Sequence, residues 1–128
     1  MSSKSGGQEG GRKIIARNRK ARYEYEVLET FEAGVVLKGT EVKSLRQGRG
    51  SLTGSYASIE NGEVWLQDVN IPQYEMGNRY NHEPKRPRKL LLHKKEIDRI
   101  FSKVAEKGLT LVPLSIYFTR GRVKVDLG

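Results

Sequence analysis

Two histidines, a set of glutamates and two dense basic blocks are the side chains of this sequence best suited to chemistry. His82 and His93 can in principle form an acid–base pair beside a lysine, the arrangement by which a metal-independent ribonuclease works on one phosphate. Nothing in their spacing requires it, and each can equally make a structural or RNA contact. Glu24, Glu26, Glu29 and Glu32 fall in a strand-like pattern, so several can share one face and bind a metal ion, or simply form a solvated strand face. No Walker loop, dinucleotide glycine fingerprint or nucleophile elbow occurs. Cysteine is absent, which removes thiol nucleophiles, disulfides and Cys-ligated zinc. The expectation is a protein that is not an enzyme and has no metal and no cofactor.

The basic blocks say more. The formal net charge is +9 over 128 residues, with 24 Lys+Arg against 15 Asp+Glu. Residues 1–22 hold seven basic side chains against Glu9 alone, and Lys85, Arg86, Arg88, Lys89, Lys94 and Lys95 follow one another with no acid between them. A near-neutral body with two such blocks points to a polyanion footprint, because neutralising phosphates releases counterions. Lys94 and Lys95 open a helix, where a cation costs about 0.3–1 kcal/mol unless an anion binds there. With Arg86, Arg88 and Lys89 they make the first nucleic-acid patch. Arg17, Asn18, Arg19 and Lys20 make the second, Asn18 being able to donate and accept where its neighbours only donate. Lys38, Lys43 and Arg46, around a short helix, form a third set that can equally be ordinary helix-flanking charges.

The elements that must carry these residues can be read from pattern. Residues 1–12 lack large apolar side chains beyond Met1 and are expected to be a disordered tail, with a single domain over 13–128. Tyr23 to Leu37 alternates and then turns apolar, which predicts one long strand, or two bent about Gly34. Thr40 caps a short helix over Glu41 to Gln47 that ends at Gly48. Asn61-Gly62 between two β runs predicts a hairpin with a type I′ turn. Pro72 to Lys89 reads as a long loop whose Tyr74, Asn78, Tyr80, Asn81 and His82 lean toward contact with something. Ile97, Ile100, Phe101 and Val104 predict core packing by one long helix ended by Gly108. Leu109 to Phe118 and Arg122 to Leu127 predict a closing hairpin, with Pro113 at an edge or a bulge. The fold class is mainly β with helices: a small closed barrel of the oligonucleotide-binding type with one longer and one short helix. No apolar run approaches the length of a membrane span and no signal peptide is present, so the expected location is the cytoplasm and no membrane is involved.

Several strings, taken together, resemble one family. Asn18-Arg-Lys-Ala-Arg, Phe31-Glu-Ala-Gly, Gly39-Thr-Glu-Val-Lys-Ser-Leu-Arg-Gln-Gly, Arg88-Lys-Leu-Leu-Leu-His-Lys and Gly108-Leu-Thr-Leu-Val-Pro-Leu stand in the order and spacing of the SmpB (SsrA-binding protein) family. The resemblance implies an oligonucleotide-binding-type barrel that binds the transfer-RNA-like domain of transfer-messenger RNA. It also implies delivery of that RNA to stalled ribosomes for trans-translation, with the 30S decoding region and the 50S subunit as partners, and a monomer. Carried over residue by residue, it implies RNA-binding roles for Asn18, Glu32 and Leu91, and His93 joins the basic patch beside them. Family members continue past the last strand with a basic tail, whereas this sequence stops at Val125-Asp126-Leu127-Gly128. As it stands the chain is therefore expected to bind RNA without supporting peptide tagging. The alternatives are a generic oligonucleotide-binding or ribosomal protein without preference for that RNA, and a small ribonuclease using His82 and His93.

Overall fold

The computed structural model describes residues 8–9, 12–24, 27, 29–74 and 81–128. In chain order the elements are β1 (Gln8–Glu9), β2 (Arg12–Arg17), α1 (Arg19–Glu24), β3 (Phe31–Val35), α2 (Gly39–Arg46), β4 (Tyr56–Glu60), β5 (Glu63–Gln67), β6 (Arg88–Leu91), α3 (Lys94–Lys107), β7 (Pro113–Thr119) and β8 (Arg122–Leu127). Seven strands form one antiparallel sheet in the order β2-β7-β8-β3-β6-β5-β4, and the two-residue β1 extends its β2 edge. The ladders do not close into the expected barrel. The order ends on β4, which is tied toward the far side by a single backbone bond, from Ala57 N–H to Leu111 C=O at 2.9 Å. Residues 109–112, expected to be strand, lie outside the ladders, so the partner that β4 needs for closure is not formed.

Side chains alternate between the two faces of every strand. Ala33, Val64, Leu66, Leu90, Ile116, Val125 and Leu127 point inward and are buried with Leu45 of α2 and Ile100 of α3. Helix α3 packs through Ile97, Ile100 and Val104. Phe101, expected beside them, is 57% exposed. It stands one residue past Ile100, about 100° around the helix from that most buried position. Gly108 ends the helix with a φ of 64°, as its position predicts.

Both tight hairpins form as read. Asn61 and Gly62 have φ of 53° and 76°, and Arg120 and Gly121 have φ of 50° and 76°, the left-handed pair that a type I′ turn requires. Pro113 lies at a register shift of the β7–β8 ladder, so the bulge explains it and not an edge, because β7 runs between β2 and β8.

Two further expectations are corrected. The strand expected from Tyr23 is helix at Tyr23 and Glu24, and β3 is confined to Phe31–Val35; residues 25, 26 and 28 lie outside the described residues. Alternation there is overridden by tertiary contact, since Ala21 of α1 packs on Val112 and Leu114. Thr40 does not cap α2. The helix starts at Gly39, and the Glu41 carboxylate accepts the Lys38 N–H at 2.7 Å. Within the tail expected to be disordered, Gln8 and Glu9 pair with Lys13 and Arg12, while residues 1–7 and 10–11 lie outside the described residues.

Candidate nucleic-acid interface

Strand β6 divides the basic run between two faces. Arg88 and Leu90 point inward, Lys89 and Leu91 outward, as period-two alternation demands. Arg88 is therefore no surface cation: its side chain is 0% exposed and its Nε lies 2.6 Å from Glu41 Oε2. Its Nη1 donates to Val69 C=O at 2.7 Å and its Nη2 to Pro84 C=O at 2.9 Å. Arg86 donates to the same carboxylate, from Nε at 3.0 Å and Nη2 at 2.7 Å. Burial raises the Glu41 pKa, but the bonds from Arg86, from the Lys38 backbone and from Arg88 together bring it below the usual carboxylate range. Arg88, expected on an RNA patch, is thus turned into the core, where a buried guanidinium must be fully paired, while the partly exposed Arg86 reaches the same carboxylate from the surface side.

The outward face is different in kind. Directly paired residues share a face, so the register sets Leu91 of β6, Gly34 of β3, Lys124 of β8 and Tyr117 of β7 in one row. Two residues along β3, Glu32 pairs with Asp126. Gly34 leaves the floor of the row low, and a Cβ there would meet Leu91 Cβ at 3.4 Å. Leu91 is 53% exposed, a large apolar side chain standing in water on a strand of cations. The row opens into a groove of about 780 Å³ that gathers Glu32, Leu91 and His93 with Arg122 and Lys124. Sequence reading missed Arg122 and Lys124, although Arg122-Val-Lys-Val-Asp-Leu alternates perfectly and would have assigned them outward.

Glu32 is held from below. Tyr117 OH donates to Glu32 Oε2, and Arg12 Nη2 reaches the same oxygen at 3.3 Å. Arg12 Nη1 donates to Asp126 Oδ2 at 2.9 Å, and its guanidinium lies 4.1 Å above the Tyr117 ring. Burial, then the contacts with Glu32 and Asp126, push the Tyr117 pKa far above the usual phenol range, so the hydroxyl stays a donor.

The remaining expected residues surround this face or stand apart from it. His93 caps α3, its N–H donating to Glu96 Oε1 at 3.0 Å, and Lys94 and Lys95 are exposed on the first turn. Glu96 supplies the negative charge that sequence reading found wanting at that terminus. Lys89 is half-exposed and paired with Glu63 at 2.8 Å. Lys38, Lys43 and Arg46 are exposed; Lys43 lies over Tyr74 at 5.5 Å and Arg46 over Phe118 at 5.2 Å. Arg17, Arg19 and Lys20 are exposed around the start of α1. Asn18 is turned inward: Nδ2 donates to Pro113 C=O at 3.0 Å and Oδ1 accepts the Ala21 N–H at 3.1 Å. Both ends of the amide thus cap α1 and tie it to β7. Tyr23, 93% exposed at the far end of this basic helix, was read only as strand.

The catalytic alternative loses its geometry, and two of the four glutamates considered for a metal diverge. His82 is buried, with Nδ1 2.8 Å from Thr40 Oγ1 and Nε2 2.7 Å from Ile71 C=O, so both ring nitrogens already have partners. Glu29 turns to Arg99 and Lys103 of α3 while Glu32 turns to Arg12, so the two do not share a face. Among the described residues no group of three or more His, Cys, Asp or Glu is placed to hold a metal ion. Glu26, Asn78 and Tyr80 lie outside the described residues. No described helix is long and apolar enough to cross a membrane.

Comparison with known proteins points to one family. The family model described as "SmpB protein" matches residues 15–128. An SsrA-binding protein of Desulforudis audaxviator is 62% identical over 115 residues, covering 90% of this chain and 75% of the relative. One of Carboxydothermus hydrogenoformans is 63% identical over 116 residues, covering 91% and 78%. A solved structure described as "tmRNA-SmpB: a journey to the center of the bacterial ribosome" matches with a TM-score of 0.73 at 58% identity, covering 88% of this chain and 79% of that one. With a family model spanning nearly the whole described domain and relatives this similar along most of their length, the chain belongs to the SmpB family.

Proposed function

We infer that this chain is an SsrA-binding protein: it binds transfer-messenger RNA and acts with it at stalled ribosomes in trans-translation, as an RNA-binding protein and not an enzyme. The observation that carries the RNA reading is the outward row Leu91–Gly34–Lys124 with Glu32 beside it, an apolar side chain, a hollow, a cation and a carboxylate on one open face. Single-stranded and looped RNA is recognised by such mixtures, because splayed bases offer faces to apolar groups and edges to hydrogen-bonding ones, while cations hold the backbone.

Within that reading the RNA surface comprises Glu32, Leu91, His93, Lys94 and Lys95, with Arg122 and Lys124 added from the groove. Arg17, Arg19 and Lys20 contribute a second phosphate contact from the start of α1, and Asn18 contributes by fixing that helix. Lys38, Lys43, Arg46 and Lys89 supply longer-range attraction. The transfer-RNA-like domain is the part of the RNA whose loops suit this face, and the ribosome, with its decoding region and large subunit, is where the complex works, in the cytoplasm. The sheet is read as a relative of oligonucleotide-binding barrels; the Ala57–Leu111 bond, which draws the β4 end toward the chain entering β7, supports that description.

The test is the dissociation constant for transfer-messenger RNA at near-physiological salt with excess transfer RNA as competitor. Binding that survives the competitor is expected. Collapse to the affinity for transfer RNA, duplex RNA or single-stranded DNA leaves a generic polyanion binder instead.

A further inference from the structure

Glu32 and Asp126 are opposed directly across the β3–β8 ladder, the arrangement in which like charges destabilise a sheet. The fold answers with an arginine and a buried tyrosine drawn from two other strands: Arg12 of β2 reaches both carboxylates, and Tyr117 OH of β7 donates to Glu32 Oε2 and lies 3.0 Å from Asp126 Oδ1. Stability alone gives no reason for this, since an apolar cross-strand pair would need neither partner. What the arrangement achieves is orientation. Both protein donors reach Oε2 of Glu32, and among the described residues none reaches Oε1, although the side chain is 44% exposed at the groove.

We propose that Tyr117, together with Arg12 and Asp126, is a positioning residue for RNA recognition, anchoring Oε2 of Glu32 so that Oε1 accepts an N–H of an unpaired base lying in the groove beside Leu91. This rests on the RNA reading above and deepens it. Two features make the ligand a base edge and not a phosphate. The cluster of Glu32, Asp126 and Arg12 is anionic by one charge, which repels phosphate at that point while Lys124 and Arg122 attract it a few residues away on β8. Leu91 offers an apolar surface to a base face, where a phosphate would lose solvation. The high pKa of Tyr117 supports the role, because the hydroxyl remains a donor at any working pH.

The experiment uses the full chain and transcribed transfer-messenger RNA, with affinity measured at two salt concentrations and folding checked by thermal unfolding. Tyr117→Phe keeps the ring on which Arg12 lies and removes only the hydroxyl. It is expected to weaken binding roughly 5–10-fold, within the range of coupling between residues in contact. The salt slope should not move, and the same substitution should cost nothing further in a Glu32→Gln background. If Tyr117→Phe fails to fold, Arg12→Met, at a half-exposed site, carries the same comparison. Unchanged affinity in the single variant, or an equal loss in both backgrounds, overturns the proposal while leaving the RNA reading intact. Failure of the unsubstituted chain to hold transfer-messenger RNA against transfer RNA overturns both.

Discussion

Arg88 Nε stands 2.6 Å from Glu41 Oε2, with neither side chain exposed to solvent. The pair joins β6 to α2, and the two remaining guanidinium nitrogens tie in Val69 and Pro84. A charge in that position is held by geometry on every side, so it can be removed only at the expense of its partner.

Arg88→Ala should therefore destabilise the fold by roughly 1–3 kcal/mol for each buried acceptor left without a donor, the Val69 and Pro84 carbonyls foremost, since Glu41 keeps its bonds from Arg86. Urea unfolding checks it. The folded fraction should keep the salt slope of RNA binding unchanged, because no phosphate contact has been lost.

Acid should loosen the same region first. The folded-state pKa of Glu41 lies below its ordinary value of 4.5, so its contribution to stability is present above that value and is lost as pH falls through the folded pKa. A pH titration of unfolding free energy should fall below about pH 4.5, and Glu41→Gln, already destabilised at neutral pH, should flatten that limb.

Lys94→Ala and Lys95→Ala should each lower the slope of log K against log salt by about one unit if each neutralises a phosphate. Leu91→Ala should weaken binding with the slope preserved, and should change unfolding free energy by no more than about 0.5 kcal/mol, since its side chain stands in water. Parallel binding isotherms at several salt concentrations separate the two behaviours; equal slopes for Leu91→Ala and Lys94→Ala would contradict the division.

Asn18→Ala should cost about 1–2 kcal/mol through loss of the α1 cap and of the bond to Pro113 C=O. Amide exchange across residues 19–24 should rise more than exchange in β7 and β8.

What the sequence disclosed follows the range of the interactions involved. The turns at Asn61-Gly62 and Arg120-Gly121, and the end of α3 at Gly108, depend on the φ of one or two residues and were legible. Arg88 looks like a surface cation in the sequence because its partner is 47 positions away, although its place two residues from Leu90 on one strand sets it on the face opposite Lys89. The inward turn of Asn18 is hidden for the same reason, its acceptor being Pro113, 95 positions on. The alternation from Tyr23 suggested a strand because local pattern cannot register Val112 and Leu114, on which Ala21 of α1 settles. The groove needed registers across β3, β6 and β8, and only Glu32, Leu91 and His93 were reachable without them, through resemblance and through adjacency to a basic block.

The sheet also interleaves the two ends of the chain. β2 bonds to β7 and β3 to β8, and Arg12 meets Asp126 across 114 positions. Such pairings require closure of nearly the whole chain before they gain anything, which makes folding slow relative to a helical domain of this size. During synthesis, β2 and β3 wait without their central neighbours until β7 and β8 have left the exit tunnel, whereas the β4–β5 hairpin can form alone. The groove proposed for RNA, built on β3, β6 and β8, is therefore among the last parts of the molecule to exist, and a nascent chain lacking β8 has no such surface to offer.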